Sequence, residues 1–302
     1  MELGKFGIWS LAFTHGDPCE AADAAAEAEE LGFGTLWLGG DPGGNPRGDL
    51  LRAAGVLDAT RRVTVATACV SIWDRPADRL AGAYGALPAH QRERLVVGLG
   101  VSHAEVVGTY RRPYTAMAGY LDALDSAAVA LPPSARLVGA HGPRMTRLAA
   151  RRTLGVHPYL VDTEHVTRTR ELLGPGPVLA LEQTVVLHAD AATARARARD
   201  TLAPYLPLAN YRSAWLRSGF TEDDLTGGGS DRLVDALFLR GKPEDVAAGL
   251  AERHKAGADH IAVQVATDAR GTFARSGWRE LAAVLREVVS DGPGTRNPSH
   301  TA

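Results

Sequence analysis

Residues 95–103 have the sequence Leu-Val-Val-Gly-Leu-Gly-Val-Ser-His, a short apolar run that ends in a turn. Similar runs, rich in Val, Ile, Leu and Trp, alternate along the chain with Ala-rich segments of helical period, which is typical of a buried parallel sheet with helices outside. An unbroken series of eight strand–helix units favours a closed (β/α)8 TIM barrel, in the α/β class, over an open sheet. The eight runs are Phe6–Ser10, Thr35–Leu38, Val63–Val70, Leu95–Gly100, Arg136–Ala140, Val156–Val161, Leu179–Leu187 and His260–Ala266.

One connection is longer than the others and separates the seventh strand from the last helix pair, whose first helix begins at Pro243. It contains the helical stretch Ala191–Leu206, so we expect a single barrel domain over residues 1–290 with a helical insertion at residues 190–240 near the active site. Such an insertion often forms a lid or a substrate wall, and a surface or dimer-contact helix is the alternative. Residues 291–302 are predicted to be a flexible C-terminal tail.

Composition limits the classes of partner. The 302 residues include 33 basic and 35 acidic side chains, so no overall field attracts nucleic acid or an anionic membrane. The two cysteines, Cys19 and Cys69, match no metal-binding or disulfide spacing, and no metal site is predicted. Residues 1–5 lack the basic region of a signal peptide, and the apolar runs are too short to cross a bilayer. We expect a cytoplasmic protein that acts on a small molecule.

The ends of the predicted strands supply the candidate catalytic residues, because function in a barrel lies where strands end and loops begin. His103 follows the fourth run and could transfer a proton near neutral pH; a helix-capping or solvent-facing histidine is the alternative. Glu182 lies in an otherwise apolar run, where an unpaired carboxylate is costly to bury. It should therefore face the pocket or an ion-pair partner.

Other strand ends supply candidate binding residues. Trp9 and Trp73 could stack on a ring, whereas Trp37 is predicted to belong to the core. The segment 141–144, His-Gly-Pro-Arg, starts a helix with free amide groups and a guanidinium for an anion such as a phosphate; an ordinary helix start is the alternative. The candidate substrate-binding residues are Trp73, His157, Tyr211 and Trp215, and the insertion adds a partly apolar wall formed by Asn210, Tyr211, Trp215 and Phe220.

The glycines of the opening stretch indicate a flat ligand. Gly98 and Gly100 place small residues in a strand just before a turn, so a ring can approach the backbone closely. The stretch lacks the third glycine and the following acid of a dinucleotide fingerprint. It therefore gives little support to a nicotinamide-binding Rossmann site.

Six segments in order along nearly the whole chain resemble the luciferase-like oxidoreductases, specifically the actinobacterial group associated with coenzyme F420, a 5-deazaflavin. The two segments that together are fairly specific are 95–103 and 157–161. The full set is Leu31–Gly39, Val65–Ala68, Leu95–His103, Gly142–Met145, His157–Val161 and Gly257–His260.

The resemblance implies an isoalloxazine-like ring packed against the third and fourth strand ends, and a non-proline cis peptide near Ala68-Cys69. Many relatives have an acid–histidine pair after the second strand and a Gly-Glu pair after the fourth, where this chain has Gly40-Asp41 and Ser102-His103. The identity of the proton donor is therefore open. The cofactor contacts that the resemblance implies are Asp41, Ala68, Cys69, Val101, Ser102, His103, Gly142, Pro143, Arg144 and Met145, and the strand-end candidates Trp9 and His141 complete the set.

The resemblance implies hydride transfer between a deazaflavin, coenzyme F420, and a small, partly apolar organic substrate, with His103 and Glu182 as proton donors. The alternative is an FMN-dependent monooxygenase. Cofactor identity separates the two, because deazaflavin has carbon where flavin has the nitrogen that reacts with oxygen. A third possibility is a non-catalytic barrel that binds flavin or a partner, and members of the family commonly form homodimers.

Overall fold

The strands and helices follow one another in alternation along the chain. The computed structural model describes residues 2–40, 49–269 and 271–290. The strands are β1 (Phe6–Ser10), β2 (Thr35–Gly39), β3 (Thr64–Ala68), β4 (Val70–Ser71), β5 (Leu95–Gly100), β6 (Arg136–Val138), β7 (Gly155–Val156), β8 (Val178–Leu187), β9 (Leu239–Gly241) and β10 (His260–Val265). The helices are α1 (Ala12–His15), α2 (Pro18–Glu30), α3 (Asp49–Asp58), α4 (Ala77–Gly85), α5 (Ala89–Arg92), α6 (Pro113–Asp125), α7 (Pro143–Arg152), α8 (Thr163–Leu173), α9 (Ala191–Leu202), α10 (Ala209–Arg217), α11 (Asp231–Leu237), α12 (Pro243–Lys255) and α13 (Arg275–Ser290).

The sheet closes on itself. The strand order is β10-β1-β2-β3-β5-β6-β7-β8, and β8 also pairs with β10, so eight parallel strands form a ring. Strand β4 lies beyond β3 and pairs with β5, and β9 pairs with the last residues of β8. The predicted (β/α)8 barrel is confirmed.

The inside of the barrel is filled around one indole ring. Trp37 is fully buried, and its ring stacks on that of His157 with 4.1 Å between the ring centroids and 8° between the planes. Its Nε1 donates a hydrogen bond of 2.9 Å to Nε2 of His260. The prediction that Trp37 belongs to the core is confirmed, and the filled interior leaves space for a ligand only at the mouth of the barrel.

Small residues on the helices let them pack closely on the outside of the ring. In α2, Ala24, Ala25 and Ala28 are fully buried against the strands. The helix begins where Asp17 accepts hydrogen bonds from the backbone amides of Cys19 and Glu20, as its position before Pro18 suggests. These small side chains therefore let α2 pack closely on the core.

Four predicted elements differ from the structure. The run Val63–Val70, predicted as one strand, is divided into β3 and β4. The run predicted as a strand over Val156–Val161 pairs only at Gly155–Val156, because Pro158 lacks an amide hydrogen and Leu160 has a φ of 51°. The run Arg136–Ala140 ends at Val138. The helical stretch Ala191–Leu206 ends at Leu202, and α10 follows after a turn.

The insertion between β8 and β9 consists of α9, α10 and α11. Its apolar side chains join those of the barrel interior in one buried cluster that includes Leu202, Tyr205 and Trp215. The predicted tail, residues 291–302, lies outside the described residues. Within the described residues, no helix combines the length and the apolar character that crossing a membrane requires.

Closure of the barrel between β7 and β8 depends on Gly155. It has a φ of 156°, and a Cβ atom placed on it would lie 1.9 Å from the carbonyl oxygen of Val178. We expect Gly155→Ala to lower the free energy of unfolding by about 3 kcal/mol, because the clash is with backbone that cannot turn away. Urea unfolding followed by circular dichroism measures this.

Gly55→Ala is the matched control, since Gly55 lies in α3 with open space where a Cβ would be. Alanine there should raise the free energy of unfolding by about 0.5–1 kcal/mol. Equal effects of the two substitutions would contradict the role of Gly155 in closure.

Candidate functional site

A pocket opens at the carboxyl ends of the strands, on the side of the barrel where α10 of the insertion lies. Its wall combines strand ends from around the ring with aromatic side chains of the insertion. The lining residues are Trp9, Gly40, Ala68, Cys69, Ser71, Gly100, Val101, Ser102, His103, Gly139, His141, His157, Tyr159, Tyr205, Asn210 and Tyr211.

One wall of the pocket is backbone rather than side chain. It is built around Cys69, and the peptide bond between Ala68 and Cys69 is cis, as expected. A Cβ atom on Gly100 would lie 3.1 Å from Cβ of Cys69, and one on Gly139 would lie 3.2 Å from its Sγ. Because Gly100 and Gly139 carry no side chains, these strand ends pack closely against Cys69 and add no side chains to this part of the wall.

The loop after β5 brings His103 to the mouth of the pocket. Asn210 of α10 donates a hydrogen bond of 3.1 Å to the carbonyl oxygen of Ser102, a residue with a φ of 52°. The imidazole of His103 stacks on the ring of Tyr211, with the centroids 5.3 Å apart. Burial lowers the pKa of His103, and the nearby charge of Glu105 partly opposes this, so the ring is neutral near neutral pH.

The loop after β6 brings a second histidine to the pocket. His141 lies before the first turn of α7, and its buried Nδ1 has no hydrogen-bond partner among the described residues. Burial lowers the pKa of His141 well below its usual value, and neighbouring positive groups add to this effect. The guanidinium of Arg144 lies 4.4 Å from the centroid of the Tyr114 ring. The free amides of the first turn of α7 therefore lie next to a neutral imidazole.

Helix α10 covers the pocket with aromatic rings. Tyr211 is buried, and its ring centroid lies 4.7 Å from that of His141 and 5.1 Å from that of Tyr205. Trp215 lies behind Tyr211 and donates a hydrogen bond of 2.9 Å from Nε1 to the carbonyl oxygen of Leu160. The rings are thus held by contacts to the barrel itself.

Glu182 lies inside the barrel beneath these rings and is 1 % exposed. Among the described residues its carboxyl group is paired with the backbone amide of Leu160 (3.2 Å) and the hydroxyl of Thr184 (2.6 Å), not with a cation. Burial raises the pKa of Glu182 to about 8, although these hydrogen bonds oppose the shift. The carboxyl group and Trp215 together hold the two sides of Leu160, the residue with positive φ.

The family to which the chain belongs follows from a family model. The model described as "Luciferase-like monooxygenase" matches residues 5–260. The chain belongs to the luciferase-like monooxygenase family. No curated protein matches the sequence significantly.

Solved structures share the fold of this luciferase-like protein at low sequence identity. An F420-dependent secondary alcohol dehydrogenase in complex with an F420–acetone adduct superposes with a TM-score of 0.72 at 13% identity, covering 95% of this chain and 99% of that one. The coenzyme F420-dependent tetrahydromethanopterin reductase from Methanopyrus kandleri has a TM-score of 0.68 at 14% identity, covering 94% and 99%. The FMN-bound oxygenating constituent of 3,6-diketocamphane monooxygenase from Pseudomonas putida has a TM-score of 0.68 at 16% identity, covering 96% and 99%. Neighbours of this luciferase-like chain thus include both F420- and FMN-dependent proteins.

The structure brings many of the site residues expected for the luciferase-like barrel to one pocket. Trp73 lies behind the wall and donates from Nε1 to the carbonyl oxygen of Val101 (2.6 Å). Residues 142–145 begin α7 beside the pocket, Phe220 lies under Arg232, and Asp41 is outside the described residues. The expected residues that line the pocket are Trp9, Ala68, Cys69, Val101, Ser102, His103, His141, His157, Asn210 and Tyr211. Those that do not are Trp73, Gly142, Pro143, Arg144, Met145, Glu182, Trp215 and Phe220.

Two lining residues were not among the candidates that the sequence analysis took from the predicted strand ends. Tyr205 comes from the turn after α9, and Gly139 from the shortened end of β6. A useful signal for Tyr205 is its place among Tyr211 and Trp215 in an insertion otherwise rich in Ala and Arg. Aromatic residues clustered in such an insertion indicate contact with the pocket.

The raised pKa of Glu182 makes a prediction about stability. The folded protein holds a proton that the unfolded chain, with a pKa of 4.5, releases. The higher pKa in the folded state stabilises the fold fully below about pH 4.5, and this stabilisation is lost as the pH rises toward about 8. Glu182→Gln keeps an acceptor for the amide of Leu160 and removes the titrating group. The free energy of unfolding of this variant, minus that of the wild type, should therefore increase by on the order of 3–5 kcal/mol between about pH 4.5 and pH 8.

Urea unfolding at several pH values measures the difference. Exposed Glu164 forms an ion pair with Arg168 on the surface, so Glu164→Gln is the control and should change little. A constant difference between Glu182→Gln and wild type from pH 5 to 8 would show that Glu182 is ionised throughout.

Proposed function

We propose that this luciferase-like protein is an oxidoreductase that transfers a hydride between a deazaflavin, coenzyme F420, and a small, partly apolar organic substrate. The observation that carries the proposal is the wall of the pocket beside Cys69, where Gly100 and Gly139 pack closely against that residue and add no side chains of their own to the surface. The fold shared with two F420-dependent proteins supports the same cofactor.

The residues of the pocket fit the parts of such a cofactor. In this proposal Ala68, Cys69, Val101 and Ser102 support the ring. The first turn of α7, which begins with Pro143, offers the backbone amides of Arg144 and Met145 to the phosphate end, with the buried and unpartnered Nδ1 of His141 beside it. Asp41, Arg144 and Met145 remain proposed contacts of the more distant parts, and Trp9 a proposed contact of the ring.

When bound, the deazaflavin supplies a carbon centre that accepts or donates a hydride. The protein orients the substrate and excludes water. Tyr211, supported by Trp215, covers the pocket with apolar ring surface. His103 at the mouth is neutral because burial lowers its pKa, so in this proposal it exchanges a proton with the substrate at a ring nitrogen. Glu182 lies beneath the pocket and supports Leu160.

An FMN-dependent monooxygenase is the second candidate. It is favoured by the description of the matching family as monooxygenases and by the FMN-bound neighbour with 16% identity. The same wall fits the flavin ring, because the two ring systems have nearly the same outline. The reaction with oxygen is what separates the two candidates.

The cofactor is tested by titrating purified protein with coenzyme F420 and, separately, with FMN, following absorbance and fluorescence of the ring. We expect tight binding of the deazaflavin and weaker binding of FMN. Gly100→Val adds a branched side chain 3.1 Å or less from Cys69 and should abolish binding, whereas Gly108→Val, on an open surface, should not change it. A preference for FMN would favour the monooxygenase, and binding of neither would reject the proposed ring site.

The role of His103 is tested by His103→Ala and His103→Gln. Both should retain cofactor binding and lower turnover by at least about 100-fold, because a positioned general acid or base typically contributes that much. Steady-state kinetics of cofactor oxidation or reduction, with the titration above, measure the two effects. Unchanged turnover in both variants would assign the proton transfer to another group.

A further inference from the structure

A buried nitrogen without a partner borders the pocket and has no role in the chemistry proposed above. His157 is 3 % exposed, and its Nε2 has no hydrogen-bond partner among the described residues. Its Nδ1 lies 2.8 Å from the carbonyl oxygen of Ala180. Because a carbonyl oxygen only accepts, Nδ1 carries the proton and Nε2 presents a bare lone pair.

The ring of His157 is held in this orientation. It stacks on Trp37 at 4.1 Å, and Trp37 is itself held by the hydrogen bond to His260. Burial lowers the pKa of His157 to about 4, so the ring stays neutral at physiological pH. An acceptor that is buried, neutral and unpaired is costly to the protein unless a ligand supplies the donor.

A buried donor without a partner lies on the same side of the pocket. Trp9 is 2 % exposed, and its Nε1 has no acceptor among the described residues. Trp9 is the neighbour of Trp37 in the pairing of β1 with β2, and His157 stacks on Trp37, so both residues are neighbours of the same core residue. Both residues line the pocket.

The two groups need opposite hydrogen-bond partners from a ligand. The indole N–H of Trp9 can only donate, and Nε2 of His157, in this tautomer, can only accept. A hydroxyl group satisfies both, because its hydrogen donates to His157 while its oxygen accepts from Trp9. A carbonyl oxygen satisfies Trp9 alone and leaves His157 unpaired.

We propose that Nε2 of His157 and Nε1 of Trp9 form a recognition site for the hydroxyl group of the substrate, and that the substrate class is therefore small apolar alcohols. As an account of the substrate, this inference rests on the proposed function. It makes His157 and Trp9 specificity-determining residues that distinguish an alcohol from the ketone of the same carbon skeleton.

The test uses cofactor-free protein labelled with 15N at histidine, with cyclohexanol and cyclohexanone as probes. The pocket encloses about 130 Å³, close to the size of a cavity that binds benzene, so both rings are of suitable size. We expect His157 to show an unprotonated Nε2 whose resonance moves upfield with cyclohexanol and does not move with cyclohexanone. The alcohol should bind about tenfold more tightly than the ketone, since only the ketone leaves a buried acceptor unpaired.

Two variants separate the contributions. His157→Phe keeps an aromatic ring on Trp37 and should remove the preference for the alcohol. Trp9→Phe should weaken both probes to a similar degree and keep the preference. If His157→Phe does not fold, as judged by circular dichroism, the wild-type resonance and the ratio of the two affinities decide the question.

Three results would overturn the inference: a protonated Nε2 in the free protein, equal affinities for the two probes, or a resonance that moves with the cofactor alone and not with the alcohol. Failure of the proposed function is a different result. A protein that prefers cyclohexanol through His157 but binds neither cofactor retains the hydroxyl site and loses the proposed chemistry. A protein that binds F420 and does not distinguish the probes loses only the hydroxyl site.

Discussion

The packing of the barrel interior around Trp37 is the constraint on which the rest of the structure depends. The indole is fully buried, and several residues of its cluster on other strands are small, namely Ala66, Ala180 and Ala262. Because the ring of strands closes around this side chain, the interior has no room for a ligand, and a pocket can form only at the carboxyl ends of the strands. The same indole holds His157, so the core also sets the orientation of a residue of the site.

Above this filled core, one side of the pocket is formed by backbone and the other by aromatic side chains. The side beside Cys69 is backbone, since Gly100 and Gly139 bring no side chains to it. The opposite side is aromatic and comes partly from the insertion, with Tyr211 tied to the barrel through Trp215 and Leu160. A planar group fits the first side, and an apolar group fits the second. The two sides differ because one comes from strand ends that contain glycine, and the other comes partly from an insertion outside the ring of strands.

The sequence was sufficient for the fold and for part of the site. Apolar runs and helix caps predicted the eight barrel strands, because buried parallel strands must be apolar on both faces. Strand-end position placed His103, Cys69 and His157 at one pocket. Strand-end position did not place Tyr205 at the pocket. Whether Tyr205 reaches the pocket depends on how α9 and α10 pack on the barrel, and this long-range packing has no local signature in the sequence. Nor did the apolar run 156–161 reveal its early end, where Leu160 takes a positive φ supported by distant partners.

The polar groups around the pocket share a property that bears on its chemistry: burial keeps them uncharged. It lowers the pKa of His103, His141 and His157 and raises that of Glu182 to about 8. In the proposed reaction a hydride would carry its electron pair with it, so charge would move within the pocket, and fixed ionic charges nearby would favour one direction strongly. Neutral donors and acceptors orient a ligand without that bias. The cost of burying them is offset only when each has a partner, which is why the unpaired nitrogens of His157 and Trp9 point to a ligand.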